Sequence, residues 1–130
     1  MTEREATVFV VDDDPSVRRG LERLLRSAGY RVEMHSSAEQ FLEAGRADSP
    51  GCLILDVRMP GQGGLDLQQA LADRGSLLPI IFITGHGDVP TVVRTMKGGA
   101  VDFLMKPFDD EDLLAAVHQA LTGKHRRPPL

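Results

Sequence analysis

Five short apolar runs punctuate the chain, and between them hydrophobic residues recur at the spacing of a helix face. The runs at 7–11, 52–57, 80–84 and 101–105 are nearly continuous, the pattern of parallel strands covered on both sides. The segment Val32-Glu33-Met34-His35 alternates instead, and is expected at a sheet edge. Val17, Leu21, Leu24, Leu25 and Ala28 form a helical stripe, with Asp14-Pro15 as its start and Gly29 as its stop. Ser37 with Gln40 resembles a capping box ahead of Phe41 and Leu42. Leu67, Ala70 and Leu71 predict a third helix. Val92, Val93 and Met96 predict a fourth that ends at Gly98-Gly99. Leu113, Leu114, Val117 and Leu121 form the stripe of a fifth, opened by Asp109 or Asp110. Strand and helix alternate five times, so the expected fold is a three-layer α/β/α sandwich on a parallel sheet.

Composition narrows this picture only a little. The chain has 130 residues, 42% of them hydrophobic and 26% charged, which suits one globular domain with one core. A net charge of −4 gives the domain itself no reason to bind nucleic acid. The basic stretch Lys124, His125, Arg126, Arg127, followed by Pro128-Pro129, reads as a solvated tail or linker. The boundaries expected are a domain over 1–122 and a linker or tail over 123–130, with no output domain. The lone Cys52 opens an apolar run and reads as a small buried hydrophobe. With no apolar signal core and no membrane-length run, a cytoplasmic protein is expected. His35, His86, His118 and His125 lack the spacing of a transition-metal site.

In a doubly wound parallel sheet a ligand site forms beyond the carboxyl ends of the strands. The residues at those ends here are Asp12 and Asp13 after the first strand, Asp56 in the third, Thr84 ending the fourth and Lys106 after the fifth. Three clustered carboxylates repel one another unless protons or a cation join them, and Mg2+, hard and oxygen-loving, suits such a site. A carboxylate can attack a phosphoryl donor in line. Lys106 and Mg2+ would then neutralise the equatorial oxygens, with the Thr84 hydroxyl donating a hydrogen bond. Asp56 is the expected acceptor, because a carboxylate after four apolar residues is costly unless it is used. Each residue has a plainer reading: aspartates after strands cap helices, a threonine favours strands, and Lys-Pro makes turns. It is the ordered set that points to phosphoryl transfer.

That set, in Val10-Val11-Asp12-Asp13-Asp14, Leu55-Asp56-Val57-Arg58-Met59-Pro60, Ile83-Thr84-Gly85-His86 and Phe103-Leu104-Met105-Lys106-Pro107-Phe108, strongly resembles the receiver domain of bacterial two-component response regulators. The resemblance runs from about residue 7 to 121. It implies a CheY-like, flavodoxin-like sheet of order 2-1-3-4-5 with five helices. It implies a sensor histidine kinase as phosphoryl donor to Asp56, and Mg2+ ligation by Asp13, Asp56 and the backbone carbonyl of Arg58, with a contribution from Asp12. It also implies a cis bond between Lys106 and Pro107, and a switch in which Thr84 moves and Phe103 rotates. The segment from Thr84 to Pro90, with Met96-Lys97 and Gly99 to Phe103, is similar to the FixJ/NarL-type branch, whose members carry a C-terminal DNA-binding domain and regulate transcription. Val93, Lys97 and Asp102, on helix 4 and strand 5, are then candidate contacts of a homodimer formed on phosphorylation.

Three rivals compete. A phosphatase resembling the haloacid dehalogenase superfamily would use Asp12, Asp14, Thr84, Lys106 and Asp109-Asp110, but leaves Asp56 idle and lacks length for a substrate cap. An interaction module without phosphorylation would leave the acidic cluster a net cost. A flavin module would need donors, not Asp12 and Asp13, at the first strand-to-helix turn. A signalling domain rather than an enzyme is the expectation.

Overall fold

The computed structural model describes residues 6–85 and 87–123. Its elements alternate throughout: β1 (Thr7–Val11), α1 (Pro15–Ser27), β2 (Arg31–His35), α2 (Ala38–Glu43), β3 (Gly51–Asp56), α3 (Gly64–Asp73), β4 (Ile80–Thr84), α4 (Val89–Lys97), β5 (Asp102–Met105) and α5 (Asp110–Thr122). The strands form one sheet in the order β2-β1-β3-β4-β5, every pair parallel. The alternating segment Val32 to His35 does lie at an edge. Strand ends differ from expectation by a residue, as frayed ends do.

Apolar runs with no polar alternation still sort their side chains by the two-residue period of a strand. Phe9, Val11, Leu53, Leu55 and Phe82 face one side, against Phe41 of α2 and Leu67 and Leu71 of α3. Val8, Val10, Cys52, Ile54, Ile81 and Ile83 face the other, against Leu21 and Leu25 of α1 and Leu113 and Val117 of α5. β1, β3 and β4 therefore each belong to two cores, which is why these runs read as continuous hydrophobic sequence. Cys52 is fully buried, and burial pushes its thiol up to about 12.

The helix caps follow the sequence with one shift. Asp14 caps α1 by accepting from Ser16 N at 2.8 Å, with Pro15 at the first helical position. Ser37 caps α2 through Gln40 N at 3.1 Å, but the return bond of the expected box goes elsewhere. Gln40 Oε1 accepts from Ser36 N at 2.9 Å, so the box closes one residue early. Gly64 opens α3 where a Cβ would strike the Asp56 carbonyl, so only glycine lets this helix start so close to the end of β3.

The fourth helix forms where it was predicted. Its Val93 and Met96 are exposed at 41% and 39%, and the buried residue of α4 is Thr95. The reason is its position over β5, the far edge strand, whose own residues are at most half-buried. The Gln68 side chain of α3 holds this helix, donating from Nε2 to the Thr95 carbonyl at 3.0 Å. No described helix is long and apolar enough to cross a membrane. The basic tail and the linker expected from residue 124 onward lie outside the described residues, as does His86.

Candidate functional site

Five parallel strands bring their carboxyl ends to one edge, and the predicted site residues collect there. Asp12 directly follows β1 and is completely buried. Its Oδ1 accepts from Asp14 N at 2.9 Å and its Oδ2 from Lys106 Nζ at 3.1 Å. Asp13, the next residue, is exposed. Asp56 ends β3, 6% exposed, with Oδ1 accepting from Arg58 N at 3.2 Å. Lys106 Nζ lies 3.5 Å from Asp56 Oδ2, so one ammonium bridges two buried carboxylates. Thr84 ends β4 beside these residues and is 1% exposed; Ile83, just before it, pairs with Asp56 in the sheet. The Thr84 carbonyl accepts from Lys106 N at 2.7 Å, which ties the fourth strand end to the fifth. The bond between Lys106 and Pro107 is cis.

Electrostatics make this cluster short of positive charge. Burial, then the neighbouring Asp12 charge, pushes the Asp56 carboxyl up to about 6, against the pull of Lys106 and Arg58 N–H. Burial alone would lower the Lys106 ammonium, but Asp12 and Asp56 outweigh it and hold it above its ordinary value. Ligand oxygens of Asp12, Asp13 and Asp56 lie within 4.8 Å of one another. Three carboxylates against one ammonium, offering oxygen only, fit a hard divalent cation. The Arg58 carbonyl accepts none of the turn and loop backbone hydrogen bonds among the described residues.

Other predicted residues sit outside this cluster. Asp14 caps α1, and Asp109 and Asp110 are the N-cap and first residue of α5, both exposed. Three of the residues a phosphatase would need, Asp14, Asp109 and Asp110, thus lie at helix starts, while Asp56 sits with Asp12 and Lys106. Phe103 is half-buried against the core face shared with α2 and α3. On the outer side Val93 and Lys97 are exposed and Asp102 is half-buried, its Oδ1 accepting from Phe103 N at 2.8 Å. With Val89 at 75% and Met105 at 45% exposure, α4 and β5 present an apolar face.

Three residues escaped the sequence reading. Gly87 was legible as a turn residue that lets its loop move, yet a Cβ there would lie 2.5 Å from Met105 Sδ and 3.0 Å from Phe103 Cε1. Nothing in the spacing of Gln68 and Arg18 marked them. Arg18 Nη1 donates to the Asp12 carbonyl at 2.7 Å.

A doubly wound parallel sheet with an acid-and-lysine cluster at its carboxyl edge places the chain in the class of CheY-like, flavodoxin-like α/β domains. A family model, the response regulator receiver domain, matches residues 8–118, and the chain belongs to that family of two-component signalling proteins. It is 54% identical over 123 residues to Nodulation protein W of Bradyrhizobium diazoefficiens, covering 95% of this chain and 54% of that protein. It is 52% identical over 114 residues to Transcriptional regulatory protein FixJ of Azorhizobium caulinodans, covering 88% of this chain and 54% of that one. The solved structure of FixJ-N superposes with a TM-score of 0.85 at 42% identity, covering 99% of this chain and 100% of that one. The chain spans about half the length of the curated relatives it matches.

Proposed function

We propose that this chain is a phosphoacceptor switch: Asp56 takes a phosphoryl group from a sensor histidine kinase, and the α4–β5 face answers by dimerising. The observation that carries this reading is the single ammonium of Lys106 shared between Asp12 and Asp56, with Asp13 alongside. Such a cluster is a standing cost to the fold unless it serves a ligand.

In the transfer, an Asp56 carboxylate oxygen attacks phosphorus in line, and the phosphorus–nitrogen bond to the donor imidazole breaks. Asp12, Asp13, Asp56 and the Arg58 carbonyl would hold Mg2+, which supplies charge neutralisation for the transferring oxygens. Lys106, already at the acceptor, pairs with the same oxygens, and the Thr84 hydroxyl donates to them. Drawing Thr84 inward frees room for Phe103, whose ring lies against the backbone of Gly87. The loop ahead of α4 then shifts as a two-state element. Val93, Lys97 and Asp102 would meet their counterparts in a two-fold dimer. In a protein of the relatives' length, that dimer would bring together two DNA-binding output domains and regulate transcription in the cytoplasm.

The test is intact-protein mass after incubation with acetyl phosphate and Mg2+. One added phosphoryl group in the wild type, absent from Asp56→Asn and absent without Mg2+, is expected. No adduct with acetyl phosphate or phosphoramidate, and no beryllofluoride binding, would leave a phosphorylation-independent interaction module.

A further inference from the structure

The turn between β1 and α1 carries two of the three clustered carboxylates, and they are held very differently. Asp12 is buried, with Lys106 at 3.1 Å and Asp14 N at 2.9 Å on its two oxygens. Asp13 is exposed, and among the described residues no hydrogen bond ends on its carboxylate. Its direction therefore depends on the peptide plane that joins it to Asp12. The carbonyl of that plane is gripped by Arg18 Nη1 at 2.7 Å. Arg18 is a firm post for this purpose. Its own N–H donates to the Asp14 carbonyl at 3.0 Å, and its helix is anchored in the core by Leu21 and Leu25.

We infer that Arg18 is a positioning residue for the metal site, orienting Asp13 through the Asp12–Asp13 peptide. The inference rests on the Mg2+ reading above. Two effects of Arg18 oppose each other. Its positive charge near the cluster disfavours a dication, and that effect is screened over about 8 Å at physiological salt. Its hydrogen bond fixes the turn, and Mg2+ tolerates little deviation from octahedral geometry. The sign of the change on removing Arg18 therefore separates orientation from charge.

Mg2+ affinity is measured by calorimetry on the whole chain for wild type, Arg18→Met, Arg18→Lys and Arg19→Met. Arg19 is the exposed neighbour and reports the loss of a nearby charge alone. Arg18→Met is expected to bind Mg2+ about tenfold more weakly, the lower end for groups that orient metal ligands. Arg19→Met is expected to bind as well as wild type or slightly better, and Arg18→Lys to recover most of the loss. Unchanged or tighter binding by Arg18→Met, or no recovery by Arg18→Lys, overturns the assignment. Amide hydrogen exchange in EDTA is followed alongside, because it needs no metal. Faster exchange at Asp13 and Asp14 in Arg18→Met, with α1 and the β1 core unchanged, supports the role; unchanged exchange there overturns it. If wild type binds no Mg2+, the metal reading fails by itself, and the exchange result decides whether Arg18 orders the turn.

Discussion

Asp56→Asn should make the metal-free protein more stable, although it removes the proposed acceptor. In the fold the carboxyl is held up to about 6, against 3.8 when free, because it is buried beside Asp12. Ionising it at neutral pH therefore costs the native state about 3 kcal/mol relative to the unfolded chain, at about 1.4 kcal/mol per decade. The cleft opens to water on the side of exposed Asp13, so about half of that, 1–2 kcal/mol, is the working expectation. Asparagine keeps the oxygen that accepts from Arg58 N, and Lys106 keeps Asp12. The gain should appear as a rise of about 4–8 °C in melting temperature in EDTA at pH 7.5. Its pH dependence is fixed by the direction of the shift. A carboxyl raised in the fold destabilises progressively as pH climbs from about 4 through 6, so the gap between variant and wild type opens over that window. Below pH 4 both states are protonated and the gap should vanish. Mg2+ stabilises wild type by mass action and should narrow the gap at neutral pH. A variant no more stable than wild type in EDTA at pH 7.5, or a gap equally wide at pH 4, would refute the claim that Asp56 is ionised at a cost.

Lys106→Met leaves two buried carboxylates without their cation and should destabilise the metal-free protein by about 1–3 kcal/mol in urea titration, with Mg2+ restoring much of it. Gly87→Ala puts a Cβ 2.5 Å from Met105 Sδ and 3.0 Å from Phe103 Cε1 and should cost about 1–3 kcal/mol, with altered Met105 methyl and Phe103 ring signals by NMR. Val93→Asp, on the exposed face of α4, should abolish beryllofluoride-dependent dimerisation in sedimentation velocity while leaving monomer stability within about 0.5 kcal/mol. Cys52, its thiol pushed up to about 12 by complete burial, should react with a thiol reagent at pH 8 only as fast as the protein opens; labelling at the rate of a free cysteine would contradict the central position of β3.

How much of this was legible in the sequence depended on whether a residue acts through its type or through its reach. Continuous apolar runs announced strands buried on both faces, and Asp56 stood out because a charge inside such a run must be used. Asp12, Thr84 and Lys106 were legible from the same logic, since strand ends in a parallel sheet converge. On α4 the helical periodicity reported that a face is apolar and not what it faces. Here the neighbouring edge strand is too narrow to cover Val93 and Met96. Gln68, Gly87 and Arg18 were silent because their contacts span elements or use backbone atoms. A guanidinium on a peptide carbonyl leaves no spacing signature, and a glycine beneath a ring looks like any turn.

Two of those silent residues, Gln68 and Gly87, suggest how, under the proposed function, chemistry at the strand ends would reach the outer face. The centre of the sheet is packed on both sides and has no second arrangement at low cost, so β1, β3 and β4 serve as a fixed frame. At β5 the packing thins: α4 buries one threonine fully, takes one amide hydrogen bond from Gln68, and is preceded by the contact of Gly87 with Phe103. A helix so lightly buried can be displaced by a local change worth a few kcal/mol, about what a phosphoryl group would offer through one or two charge-assisted hydrogen bonds. The Gln68 bond lies toward the C-terminal end of α4 and the Gly87 contact just before its N-terminus, nearer Thr84. Motion is therefore expected to be largest at the N-terminal end, where Val89 is most exposed, with Thr95 nearest the pivot. The same looseness that leaves Val93 and Met96 uncovered would, under the proposed function, allow their face to be reshaped for a partner.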